Sequence, residues 1–133
     1  MKAGREFDIL ISTEVLGHTI HKQESSYFEV TSEGIRPLRA YSAQMDAAWD
    51  VIQSQGITLI PIEGGLWFAF AGPGGGWRSP AEFLECLQKG EFVNSGAAVS
   101  ESAPLSACLA AWNKTQKNIE VGAIKAPHLS LLS

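Results

Sequence analysis

Ile57-Thr58-Leu59-Ile60-Pro61-Ile62-Glu63-Gly64-Gly65-Leu66-Trp67-Phe68-Ala69-Phe70-Ala71 is the stretch that decides the fold. Two runs of β-branched and aromatic residues flank a Glu-Gly-Gly turn, the pattern of a β-hairpin. Successive strand side chains point to opposite faces, so Leu66, Phe68 and Phe70 share one face and Trp67, Ala69 and Ala71 the other. The first run divides likewise, with Ile60 and Ile62 on one side and Ile57 and Leu59 on the other. Neither face is polar. A sheet wetted on one face alternates apolar with polar residues, so this hairpin is expected to be covered on both faces.

The candidate covers are amphipathic segments. Phe7, Leu10, Ile11 and Val15 form one stripe of a helix read from Arg5 to Leu16, and Gly17 is a natural left-handed stop. Ser42 is placed to cap a second helix with the apolar stripe Met45, Ala48, Trp49 and Ile52, the flank Asp46 and Asp50 in solvent, and Gly56 as its stop. Ser79-Pro80-Ala81-Glu82 reads as a helix start: a capping serine, proline at the first helical position, and glutamate three residues on. Phe83, Leu84 and Leu87 supply its buried side and Gly90 ends it. A last helix begins near Ser102, with the stripe Leu105, Cys108, Leu109 and Trp112. Its small residues Ala107, Ala110 and Ala111 leave a smooth back that another layer can approach closely. Tyr27 to Thr31 reads as a short strand turned by Glu33-Gly34, and Ile35 to Tyr41 as an extended connection. Phe92-Val93 reads as a weak strand bent at Asn94-Ser95-Gly96. The expected fold is α+β, a three-layer α-β-α sandwich with a small, mainly antiparallel sheet covered by helices on both faces.

Composition narrows the function classes. The 133 residues are 45% apolar, enough for one domain with its own core, and no run approaches the ~18 apolar residues of a membrane span. Ten basic against fourteen acidic side chains give a net charge of −4, so direct nucleic-acid binding is not expected. Cys86 and Cys108 are too few for a disulfide framework, and the polar start from Met1 to Arg5 does not read as a signal peptide. A soluble protein of a reducing compartment is the expectation.

Gly72-Pro73-Gly74-Gly75-Gly76-Trp77-Arg78 is the locally unusual segment. Backbone amides at Gly74, Gly75 and Gly76 could form an anion nest, Arg78 could add a bidentate charge, and the helix start that follows favours negative groups. The segment fits neither the P-loop nor the dinucleotide fingerprint, and a plain sheet-to-helix connection explains it as well. Trp77 beside Arg78 suits a protein contact, because these residue types anchor interfaces. We therefore take Gly74, Gly75, Gly76, Trp77 and Arg78 as the candidate binding residues. No catalytic residue is nominated. His18, His21 and His128 lie in no recognisable nucleophile context, and Cys86 sits on a short helix whose other face is Glu82, Glu85 and Lys89, an acidic flank that disfavours a thiolate. His18 and His21 read as loop residues rather than a metal pair, Cys108 as a core residue, and no metal or cofactor is expected.

Several segments together resemble the phage ABA-sandwich domain family, small proteins of phage and prophage genomes. The resemblance rests on Glu14-Val15-Leu16-Gly17, on Pro37 followed by Tyr41-Ser42 and Ala47-Ala48-Trp49, and on Ala103-Pro104-Leu105-Ser106-Ala107-Cys108-Leu109-Ala110-Ala111. These span most of residues 5 to 115. His18 stands where family members tend to carry tryptophan, and the family pattern makes 79–89 an inserted helix of a 1–117 domain, with 118–133 an irregular tail. The resemblance implies a three-layer fold and a phage setting but no catalytic residues. The expected role is a non-enzymatic accessory protein that binds a host or phage protein in the bacterial cytoplasm, with counter-defence, such as inhibition of a CRISPR effector, as a subtype. The alternative is a module that sequesters a small ligand or nucleotide with the glycine-rich loop. Homodimerisation is expected if Trp67 or Trp112 is left uncovered.

Overall fold

The computed structural model describes residues 1–72, 76–90 and 96–123, with side chains of the last helix described through Gln116. Within them the expected hairpin forms as β4 (Ile57–Ile62) and β5 (Leu66–Ala71), antiparallel with Ile60 opposite Phe68 and Ile57 opposite Ala71. A third strand, β6 (Ala97–Ser100), pairs antiparallel with β5. Phe92 and Val93, expected in a weak strand, lie outside the described residues. The inner face of this sheet carries Ile57, Leu59, Ala69 and Ala71 and meets α4 (Ala103–Ala123). Ala107, Cys108, Ala110 and Ala111 are fully buried there, so the small-residue back does bring helix and sheet close together. Gly96 shows how close. Its φ is +104°, and a Cβ added there would lie 2.6 Å from the Ala110 carbonyl oxygen. Glycine is required on both counts.

The outer face is covered at one end by Trp77 and by α3 (Pro80–Lys89). The Phe83 ring stacks on Phe70 at 6.0 Å, and the Trp77 indole N–H donates to Thr58 Oγ1 at 3.4 Å. The β4–β6 sheet is thus flanked by helices on its two faces, as expected for an α+β sandwich. The start of α3 is built as predicted, with Ser79 Oγ accepting from the Glu82 N–H and Pro80 in the first turn. Its buried side is not. No residue of α3 is buried; Phe83 packs on Phe70 of the sheet, while Leu84 and Leu87 stay exposed.

Helix α2 (Met45–Gln55) packs against α4 and β4 and ends at Gly56 in the left-handed conformation, the predicted stop. Two features of its start and face differ from expectation. Gln44, not Ser42, occupies the cap position, and Ser42 is buried three residues before the helix. The buried face is Ala47, Ala48 and Val51, while Trp49 is exposed. The contact with α4 is a small-residue interface, and an indole is too large for it. The first helix also departs from a single α-helix: α1 (Arg5–Leu10) continues as a π-helical turn over Ile11–Val15 before Gly17 reverses the chain at φ +76°. Phe7 and Ile11 still face the core, with Phe7 edge-on to Trp112 at 6.3 Å.

A second antiparallel sheet, where one had been expected, is formed by β1 (Thr19–Gln23), β2 (Ser26–Thr31) and β3 (Gly34–Pro37) in the order β1-β2-β3. The histidine segment read as a loop is therefore the approach to β1 and the strand itself, and part of the extended connection is β3. The π turn touches both α4 and β1 and so joins this sheet to the core. Helix α4 continues past Lys117 to Ala123, into what the sequence suggested was an irregular tail. Among the described residues no helix is long and apolar enough to cross a membrane.

Candidate functional site

The most unusual chemistry of the chain lies where the first sheet meets the helices. Glu29, on the middle strand β2, is fully buried, and a carboxylate rarely occupies such a position without compensation. Antiparallel pairing places it opposite Arg36 of β3 and Ile20 of β1. Its Oε1 accepts from the Ser12 hydroxyl at 2.6 Å, and its Oε2 accepts from Arg36 Nε at 2.8 Å. The Tyr41 hydroxyl lies 2.8 Å from both oxygens and shares its one hydrogen between them. His18 Nδ1 stands 3.3 Å from Oε1 and 3.2 Å from Ser12 Oγ. The carboxylate can only accept, and the serine hydrogen already points at it, so His18 Nδ1 carries a proton and donates. The Nε2 atom is left to face outward.

The charge state follows. Burial alone would push the Glu29 carboxyl up, but the hydrogen bonds from Ser12, Arg36, Tyr41 and His18 together hold it below the usual glutamate range. The same carboxylate pushes Arg36 up from its ordinary value. Burial and the adjacent anion push Tyr41 well above the ordinary phenol range, so it stays a neutral donor. Arg36 Nη2 reaches the Tyr41 oxygen at 3.4 Å and lies 3.8 Å from Asp50, whose carboxylate is held at 2.6 Å by Arg39 Nη1. Asp50 is therefore ion-paired rather than a free flank.

A parallel set of bonds fixes the neighbouring residue. Asp8 Oδ1 accepts from both the backbone N–H and the hydroxyl of Ser42, at 2.8 and 2.7 Å, and Ser42 Oγ accepts from the Gly4 N–H. The Cys108 thiol donates to the Tyr41 carbonyl, and burial pushes that thiol up to about 12. Tyr41 and Ser42 thus staple the segment before α2 to the first sheet, the first helix and α4 at once.

Beside Glu29 the surface opens into a cleft of about 420 Å³ lined by Leu16, His18, Arg36, Asp50, Gln53 and Ser54. Sequence reasoning missed this constellation because its members come from separate segments. One signal was available: counting back from the Glu33-Gly34 turn pairs Glu29 with Arg36, provided Ile35 to Pro37 is taken as a strand.

Of the candidate binding residues, Gly74 and Gly75 lie outside the described residues. Gly76 is partly buried, with φ +144°. Trp77 is a packing residue: besides its bond to Thr58 it meets Phe70 and Phe83 edge-on, at 6.4 and 5.3 Å. Arg78 turns back on Glu82, whose carboxylate accepts its backbone N–H at 2.6 Å and its Nε at 3.3 Å. Trp77 and Arg78 do come together, lining one open cleft with Thr58, Ser79, Pro80 and Phe83 at the start of α3. Among the described residues no cluster of three or more His, Cys, Asp or Glu could hold a metal ion.

A second surface of note is the remainder of the outer sheet face. The cross-strand row Ile60–Phe68–Val99 and the pair Ile62–Leu66 extend beyond the cover given by Trp77 and Phe83. Ile62 is 41% exposed and Val99 55%, and Leu84 and Leu87 of α3 are exposed as well. Trp67 and Trp112, by contrast, are both partly covered. No protein-family model, curated protein or solved structure matches the chain.

Proposed function

We propose that the chain is a non-enzymatic accessory protein of phage or prophage type that binds a protein partner on the outer face of its β4–β6 sheet. The observation that supports this reading is the apolar surface around Ile62 and Val99, which α3 leaves uncovered on a face otherwise built like a core. Such surfaces on monomers are characteristic of protein contacts. The phage setting comes from the resemblance over Tyr41-Ser42 and the small-residue run of α4. Inhibition of a host defence effector in the bacterial cytoplasm is the proposed biological role. The net charge of −4 is compatible with a partner that carries a basic surface.

A photo-crosslinking amino acid placed at Ile62 or Val99, in chain expressed in a bacterial host, tests this. The expected result is one protein adduct from both positions and none from Glu33, on the turn between β2 and β3. The protein identified must then form a complex with purified chain that Val99→Asp weakens at least tenfold. Adducts common to all three positions, or a complex indifferent to Val99→Asp, would refute the reading.

A further inference from the structure

We infer that the cleft beside Glu29 is a binding site for a phosphate group, held by Arg36 and His18. The inference is independent of the protein-binding surface, which lies on the other sheet. Its basis is the way one buried carboxylate orients two nitrogen donors. Arg36 uses Nε for Glu29 and Nη2 for Tyr41, and His18 uses Nδ1 for Glu29 and Ser12. Among the described residues neither Arg36 Nη1 nor His18 Nε2 has a hydrogen-bond partner, and both side chains line the same cleft. Side chains locked by a buried partner lose little further freedom on binding, which is what makes a site specific rather than merely polar.

The donor set selects the ligand class. A guanidinium edge binds phosphate oxygens through paired N–H bonds, and the His18 ring adds a donor at Nε2 only in its imidazolium form. Gln53 and Ser54 on the rim bring an amide and a hydroxyl. Two acidic groups must be weighed against this. Glu29 is already matched by Arg36 and by its three other donors. Asp50 is held by Arg39 at 2.6 Å, against 3.8 Å from Arg36, so an anion entering at Arg36 displaces the weaker of the two contacts. A volume of about 420 Å³ accommodates a phosphate with a small organic group attached, and Leu16 gives that group an apolar wall.

The test is a backbone and side-chain NMR titration of the full chain at about pH 6, with inorganic phosphate in one arm, glycerol phosphate in another, and sodium chloride of matched ionic strength as reference. The expected result is saturable shifts of the His18 ring and Arg36 Nε–H signals in the phosphate arms only. Asp50→Asn is expected to tighten binding at least threefold by removing the competing carboxylate, and Ser54→Asp to weaken it at least fivefold. Both positions lie outside the bonds to Glu29. Gln53→Glu serves in place of Ser54→Asp should that variant lose its dispersed spectrum. Tighter binding of glycerol phosphate would assign the site to phosphate esters, and equal binding to the free ion; either supports it. Non-saturable shifts, affinities unmoved by Asp50→Asn and Ser54→Asp, or shifts centred on Gly76 to Arg78 instead would overturn the inference.

Discussion

Replacing Glu29 by glutamine tests the claim that the buried carboxylate holds the two halves of the fold together. The substitution keeps size and shape but removes the negative charge and turns one acceptor into an amide donor. In the wild type, Ser12, Tyr41, Arg36 and His18 all direct donors at this group. In Glu29→Gln at least one of them faces an N–H, and the Arg36 guanidinium loses its anion. Removing one partner of a buried ion pair costs about 3–5 kcal/mol. Against the ~7–20 kcal/mol expected for a domain of this length, that is a substantial fraction of total stability. Urea unfolding followed by tryptophan fluorescence at pH 7 measures it. The dependence on pH supplies an internal check. The folded carboxyl titrates below its unfolded value, so its contribution is fully present above the unfolded pKa and is lost as pH falls through the folded one. Wild type should therefore lose stability from about pH 5 downward, and the gap to Glu29→Gln should narrow over the same range. A variant within about 1 kcal/mol of wild type at pH 7, against the 3–5 expected of a broken buried pair, would refute the reasoning.

Three further outcomes follow from the packing. Gly96→Ala places a methyl group against the Ala110 carbonyl at a positive φ, and thermal or urea unfolding should show a loss of roughly 2–4 kcal/mol. Under native conditions at pH 8 a thiol reagent should label Cys86, which is partly exposed, and leave Cys108 untouched until the chain is unfolded, because that thiol is buried and held up to about 12. Arg78→Ala should change stability by less than about 0.5 kcal/mol, whereas Trp77→Ala should raise amide exchange throughout Pro80–Lys89, since the indole packs edge-on against Phe83 of that helix. Equal exchange in the two variants would show that α3 is held by something other than its aromatic contact.

The parts of the fold legible in the sequence are those where a local pattern has one physical solution. Two apolar faces on Ile57–Ala71 demand two covers, Ser79-Pro80 demands a helix start, and the alanines of α4 demand close approach. The parts that escaped have their reasons elsewhere in the chain. Strand β1 reads Thr-Ile-His-Lys-Gln and is almost wholly exposed, so no periodicity announces it; it exists because β2 offers an edge to pair with. Helical spacing alone puts Trp49 on the stripe of α2, yet the face that meets the core is built from the smaller Ala47, Ala48 and Val51. Ser42 resembled a cap because a serine before a helix usually is one, yet the carboxylate of Asp8 competes for the same hydroxyl and wins. Gly74 and Gly75 drew attention as a loop motif, whereas the densest polar chemistry was assembled from Ser12, His18, Glu29, Arg36 and Tyr41.

That assembly also accounts for every polar atom of Tyr41-Ser42 that could do chemistry. The tyrosine hydroxyl is held by Glu29, its carbonyl by Cys108, and the serine by Asp8, so each atom of the motif that could do chemistry is committed to the fold. In the run from Ala107 to Ala111 all but Leu109 are fully buried, where α4 packs against the sheet and α2. Residues so committed hold the architecture together and leave no polar atom of their own for a ligand. Among the described residues, atoms left without a protein partner include His18 Nε2 and Arg36 Nη1, and the apolar face around Ile62 and Val99 is exposed. An imidazole oriented by a buried carboxylate gives the cleft a side chain whose outer nitrogen is not committed to the fold, unlike Tyr41 and Ser42, and that is why the proposed phosphate site is sought there rather than in the motif.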